Sequence, residues 1–136
     1  PAVAEKERLA NTAYQGQISQ DQYREALVRL YGVTMPEQIE RGKQVLESED
    51  NDIHFFPAVA ETLTTLKEMG YLLGIITDTA ASVSNKLRWF EKGGFGTVWD
   101  SIISSKEIGA RKPDPRLYRA AFFGRFCGLF YRRHLN

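Results

Sequence analysis

The stretch "YLLGIITDTAAS", residues 71–82, constrains the fold more than any other part of this chain. Residues 71–76 are apolar or glycine and do not alternate with polar ones. A short run of that kind reads as a strand covered on both faces, which requires helices above and below a sheet. The run stops abruptly at Thr77, Asp78 and Thr79. A helical pattern is expected over residues 80–91, with Thr79 as its candidate N-cap and Gly93-Gly94 as its stop. In open α/β sheets, ligands bind just outside the carboxyl ends of the strands. The polar stop therefore stands where chemistry is expected.

The surrounding sequence supplies the layers that such a strand needs. "SIIS", residues 101–104, reads as a second short strand. The loop after it carries Lys112 in "EIGARKPDPRLY", and Asp114-Pro115 reads as an N-cap followed by proline at the first helical position. Before the first strand, Pro57 suits a first helical turn, and Val59, Leu63 and Leu66 form one face. Upstream, "PAVAEKERLANTAY" reads as a helix broken near Gly16. "SQDQYREALVRLYG" opens with a capping box from Ser19 and Gln22, and Tyr23, Leu27 and Leu30 form a stripe. "TMPEQIERGKQVLESE" repeats that logic with Thr34 and Glu37. The polar "EDND" at residues 49–52 is a candidate linker and domain boundary. The predicted order is a helical region at 1–54, then an αβαβα region at 55–124 with parallel strands and right-handed crossovers. No internal repeat or low-complexity stretch interrupts it.

Composition narrows the partners. The 136 residues carry a formal net charge of +1, which argues against a nucleic-acid binder with a basic surface throughout. One cysteine, Cys127, rules out a disulfide framework and fits a reducing compartment. No apolar run approaches the roughly 18–20 residues of a membrane helix, and the N-terminus has no signal-peptide layout. A cytoplasmic protein is expected. All 17 acidic residues lie at or before Asp114, so the aromatic and arginine-rich residues 125–136 form a distinct tail.

Parallel strands put Thr77, Asp78, Thr79 and Lys112 on one sheet edge. A hydroxyl, the amides of a helix start and a lysine converging there would bind an anion, most naturally a phosphoryl group. The plainer reading of each residue is a helix cap or a solvated surface lysine, and spacing alone favours that plainer reading.

Two segments bear on the choice. "FFPAVAETLTTLKEMGYLLGIITDT", followed by "FGTVWDSIISSKEIGARKPDPRLYRAAF", resembles the haloacid dehalogenase-like (HAD) hydrolase superfamily over residues 55–122. The resemblance implies an incomplete Rossmann-like α/β core preceded by a helical, cap-like region. It implies that Thr77 hydrogen-bonds the transferring phosphoryl group and that Lys112 neutralises charge there. It gives Asp78 and Thr79 the part of seating substrate, although many relatives carry Asn where this chain has Asp78. A complete relative would use Mg²⁺ to hydrolyse a small phosphorylated substrate through an aspartyl-phosphate. Dehalogenation of a 2-haloacid, without metal, is the narrower option.

Two parts of that pattern are missing from the sequence. An apolar strand ending in Asp-x-Asp, the nucleophile and general acid, is expected upstream of Pro1. Asp50 and Asp52 have the spacing, but "VLESE" before them is no strand, and Asp78 is followed two positions on by Ala80. The acidic Mg²⁺ ligands expected after the lysine helix are replaced by "FFGRFCGLFYRRHLN", where His134 reads as a bystander. The tail has three readings: a misassigned gene end, an interfacial membrane helix, or a segment packed on the core. We take the first. A chain in this form is expected to show little hydrolase activity and marginal stability alone. The alternative of a different class is a non-catalytic phosphate-binding or interaction module.

Overall fold

The computed structural model describes residues 2–127, with side chains through residue 123. Three helices come first: α1 (Ala2–Tyr14), α2 (Gln20–Leu30) and α3 (Pro36–Asn51). There follow α4 (Val59–Glu68), β1 (Gly74–Thr77), α5 (Val83–Lys92), β2 (Ser101–Ser104), α6 (Ser105–Ile108) and α7 (Pro115–Cys127). β1 and β2 pair in parallel, with Gly74 opposite Ser101 and Thr77 opposite Ser104. The fold is an incomplete Rossmann-like α/β arrangement, a two-stranded sheet among helices. Among the described residues no helix is long and apolar enough to cross a membrane. The tail assigned to residues 125–136 lies outside the described residues, except for the backbone of 125–127, which completes α7.

The capping box of α2 forms as its sequence dictates. The Gln22 amide donates to Ser19 Oγ at 3.0 Å, and the Ser19 amide donates to Gln22 Oε1 at 2.8 Å. Elsewhere the element boundaries move, for identifiable reasons. α3 begins at Pro36 behind an N-cap Met35 with no side-chain cap, so Thr34 does not cap it. Proline lacks an amide hydrogen and has a preset φ, which suits the first helical position. Residues 49–51, expected in a linker, are helical and finish α3. α4 starts at Val59, because Ala58 takes a left-handed φ of 65° and leaves Pro57 in the preceding turn. β1 is shifted to Gly74–Thr77. The Tyr71 amide is still turned back to the Leu66 carbonyl at 3.1 Å, and the ladder cannot begin until the chain has straightened.

Asp100 sets where the ladder begins. Its Oδ2 accepts from the Leu73 amide at 2.7 Å, and both of its oxygens lie 2.6 Å from Lys67 Nζ. The Asp100 amide in turn donates to the Leu73 carbonyl at 2.7 Å. One face of the sheet is closed by Val83, Phe90, Phe95, Val98, Trp99 and Ile102, with Leu63, Ile75 and Leu87 packed against them. Phe55 joins through an edge-on contact with Phe95, their ring centroids 4.7 Å apart. Strand alternation turns Ile103 to the opposite face, where α7 packs and Leu117 is fully buried.

The helical region joins the core at a backbone contact. Gly16 has φ +73°, and a Cβ there would sit 2.3 Å from the Lys106 carbonyl oxygen. Gly16→Ala should lower stability by more than about 1 kcal/mol, through both the left-handed backbone and the clash. Gly32 shares the left-handed backbone, at φ +87°, but faces open space. Urea midpoints for the two alanine variants should therefore differ, with Gly16→Ala the less stable.

Candidate functional site

The C-terminal edge of the sheet is built from three segments: the end of β1, the end of β2, and the loop between α6 and α7. Thr77 closes β1 and is half-buried, and its hydroxyl makes no hydrogen bond among the described residues. Opposite it, the Ser104 side chain is 1% exposed, and its hydroxyl also lacks a partner among the described residues. Lys112 is exposed, and its ammonium group has no ion-pair or hydrogen-bond partner among the described residues.

Asp78 ties two of the segments together. Its Oδ1 accepts from the Lys112 amide at 3.1 Å, and its Oδ2 lies 3.6 Å from Arg111 Nε. The carboxylate beside Thr77 is therefore engaged by the lysine loop. Thr79 turns the other way and is buried. Its amide donates to Ser105 Oγ at 3.0 Å, and its hydroxyl accepts from the Ala81 amide at 3.0 Å. This corrects the expected helix start. Thr79 does not cap α5, because its hydroxyl is spent on a turn. Ser82 caps the helix instead, accepting from the Asn85 amide at 3.2 Å. Residues 79–82 thus form an ordered loop beyond β1. Asp114 caps α7 as expected, accepting from the Arg116 amide at 2.9 Å. Its carboxyl is held below the usual range, first by the side-chain hydrogen bonds from Arg116 and then by that amide.

Sequence reasoning passed over Arg111, which adjoins the lysine it singled out. Arg111 Nη1 donates to Asn11 Oδ1 at 3.1 Å, and the guanidinium carbon lies 4.9 Å from the centroid of the Tyr14 ring. One side chain thus reaches both α1 and Asp78. Ser104 and Ser105 were also missed. The signal used for Thr77, a hydroxyl ending an apolar strand, was present in "SIISS" as well.

A cavity of about 130 Å³ opens beside this edge, between the helical region and the core. Thr79, Ala80, Ala81 and Trp89 of α5 form its core side, and Tyr14, Tyr23, Arg24 and Asp50 line it from α1, α2 and α3. Asp50 and Asp52, weighed above as a reactive pair, lie apart from the strand ends. Asp50 pairs with Arg24 at 2.8 Å, and Asp52 meets His54 at 2.9 Å. No three His, Cys, Asp or Glu side chains among the described residues gather into a metal-binding group. Asp78 and Asp114, the carboxylates of the lysine loop and strand end, are each engaged by arginine. These donors do not fit the oxygen cage that Mg²⁺ requires.

Comparison with known proteins settles the family. Residues 5–123 match the family model for the haloacid dehalogenase-like hydrolases. The chain belongs to this family. Two curated relatives match parts of it. A pyrophosphatase, PpaX, from Bacillus velezensis is 32% identical over 75 residues, covering 55% of this chain and 34% of the relative. An (S)-2-haloacid dehalogenase 4A from Burkholderia cepacia is 33% identical over 85 residues, covering 58% of this chain and 33% of the relative. The chain thus spans about a third of the length of either relative.

Two outcomes follow from this HAD-type edge. Asp78→Ala removes the acceptor of the Lys112 amide, a loss of roughly 1 kcal/mol. Hydrogen exchange at the Lys112 amide should accelerate, while the amides of β2 keep their protection. The second concerns Tyr23, whose hydroxyl is pushed above its ordinary value of 10.0, chiefly by burial and then by Tyr14, Asp50 and Tyr31, against Arg111. The unfolded chain then releases this proton first. Its stabilising effect is complete below about pH 10 and is lost as pH rises through the folded value. Stability measured across pH 9–12 should fall more steeply in the parent than in Tyr23→Phe, roughly from pH 10 upward.

Proposed function

We propose that this chain supplies the phosphoryl-holding groups of a HAD-family hydrolase acting on a small phosphorylated substrate. The observation that carries this reading is the pair of uncommitted polar groups at one sheet edge. The Thr77 hydroxyl and the Lys112 ammonium are both unpartnered among the described residues, and Asp78 links their segments through the Lys112 amide. In this role Thr77 donates to a phosphoryl oxygen, and Lys112 offsets the negative charge. Asp78 positions the lysine loop rather than touching substrate. Its charge is partly compensated by Arg111, which lowers the repulsion that a free carboxylate would exert on an incoming anion. Thr79 forms the wall of the adjoining cavity. None of the described carboxylates is assigned the attacking role. The hydrolase named for the Bacillus velezensis relative, a pyrophosphatase, supports a phosphoryl substrate.

Titration of the 136-residue chain with inorganic phosphate, followed by ³¹P NMR and calorimetry, tests the reading. Saturable binding is expected. Lys112→Ala should weaken it by roughly tenfold or more, as loss of a charge-assisted hydrogen bond, and Thr77→Val by roughly threefold. Absence of binding, or binding unchanged in both variants, overturns the proposal.

A further inference from the structure

Three buried side-chain polar atoms have no hydrogen-bond partner among the described residues: Trp99 Nε1, Arg111 Nε and Ser104 Oγ. The surroundings account for two of them. Trp99 stands among the rings of Phe90 and Phe95, and Arg111 Nε faces Asp78 Oδ2 at 3.6 Å. Ser104 has no such account. It is 1% exposed and closes β2 at the sheet edge that carries Thr77. Leaving a buried hydroxyl unpaired costs free energy that alanine in the same place would not.

The ordinary uses of a serine at this position are not taken. Ser104 holds the N-cap position of α6, with φ −109° and ψ 134°, yet its side chain caps nothing. The tie between the two strand ends is made by its neighbour, Ser105, whose Oγ accepts from the Thr79 amide.

What Ser104 faces is Thr77. The parallel register pairs these two residues and, two positions earlier, Ile75 with Ile102. Paired residues of neighbouring strands point to one face, and the face repeats every second residue. Ile75 and Ile102 both pack on the face closed by Phe90 and Trp99, so Thr77 and Ser104 share that face at its C-terminal end. On the other face, a Cβ added to Gly74 would sit 2.7 Å from the Oγ of its partner Ser101, so paired positions approach closely in this ladder. Threonine and serine in paired positions form cross-strand hydrogen bonds by rotation about their side-chain torsions.

Burial gives the two hydroxyls different parts. Thr77 is half-buried and can meet a ligand, whereas Ser104 is closed off and can act only through a neighbour. A threonine hydroxyl has one proton and two lone pairs. Once Thr77 gives its proton to a phosphoryl oxygen, its Oγ1 still accepts, and hydrogen bonds in series strengthen one another. Neither hydroxyl is committed elsewhere among the described residues, so both can turn into such a series when an anion binds.

We propose that Ser104 is a positioning residue of the anion site: its hydroxyl donates to Thr77 Oγ1 and so directs the Thr77 proton outward, to the phosphoryl oxygen. This rests on the phosphoryl-holding reading above and adds to it a residue that touches no ligand itself.

A double-mutant cycle on the 136-residue chain tests it, with inorganic phosphate titrated by calorimetry and urea midpoints measured in parallel. Ser104→Ala should weaken phosphate binding roughly twofold to threefold in the parent and not at all in Thr77→Val. Its urea midpoint should hold or rise, because an unpaired buried hydroxyl has been removed. Ser104→Cys, close in size but a weak donor, serves as the second variant should Ser104→Ala fail to fold, and should show the same loss. Phosphate affinity unchanged in the Ser104 variants while Thr77→Val loses it overturns this inference alone. An equal loss with and without Thr77, or a loss of affinity accompanied by a lower urea midpoint, does the same. Absence of phosphate binding in the parent overturns this inference together with the phosphoryl-holding reading.

Discussion

Two parallel strands of four residues have too few ladder bonds to hold a register by themselves. Carboxylates fix both ends of the pair. At the N-terminal end, Asp100 takes the Leu73 amide and the Lys67 ammonium, so the segments leading into β1 and β2 enter the sheet together. At the C-terminal end, Asp78 takes the Lys112 amide and faces Arg111. Ser105 adds a neutral tie by accepting from the Thr79 amide. Burial of Phe90, Trp99 and Ile102 supplies cohesion but no direction. Directional polar ties at the two ends convert that cohesion into one register, and the register puts Thr77 beside Ser104.

The helical region is attached by the same kind of contact. Gly16 lets backbone approach backbone at Lys106, Arg111 reaches Asn11 and Tyr14, and Trp89 Nε1 donates to Asn51 Oδ1 at 3.0 Å. None of these is an apolar interface of any size. Contacts of this sort specify an orientation without demanding a large buried area, and they leave a small cavity between the layers. The Arg24–Asp50 pair at its wall joins α2 to α3. A buried arginine without that carboxylate would be costly, so the pair first explains why α2 and α3 stay together.

The sequence made the order of elements and the strand-end edge legible, because both rest on periodicity and on short-range rules. Ser19 and Gln22 capped as written, "SIIS" formed the strand it spelled, and Asp114 capped α7. The misplaced boundaries share one cause. Thr34, Thr79 and residues 71–73 were read from local preference, and each was overridden by a neighbour. Pro36 took the helix start from Thr34. Ser105, distant in sequence, engaged Thr79. Asp100 and the Leu66 carbonyl held the backbone ahead of Gly74 out of the ladder. The candidate site was legible to the same extent. Thr77 and Lys112 stood out by position, whereas the reach of Arg111 to α1 depends on packing between segments about a hundred residues apart.

The contrast between Thr77 and Thr79 carries the chemical argument furthest. Both are threonines at the C-terminal end of the same strand, yet one hydroxyl is committed to the Ala81 amide and the other has no partner among the described residues. Likewise, of the two cations in the loop, Arg111 is drawn onto Asp78 and Asn11 while Lys112 is left without a partner among the described residues. The scaffold consumes the Thr79 hydroxyl and the Arg111 charge and leaves the Thr77 and Ser104 hydroxyls and the Lys112 ammonium uncommitted at the sheet edge among the described residues. On the phosphoryl-holding reading, that remainder suits a single phosphoryl group.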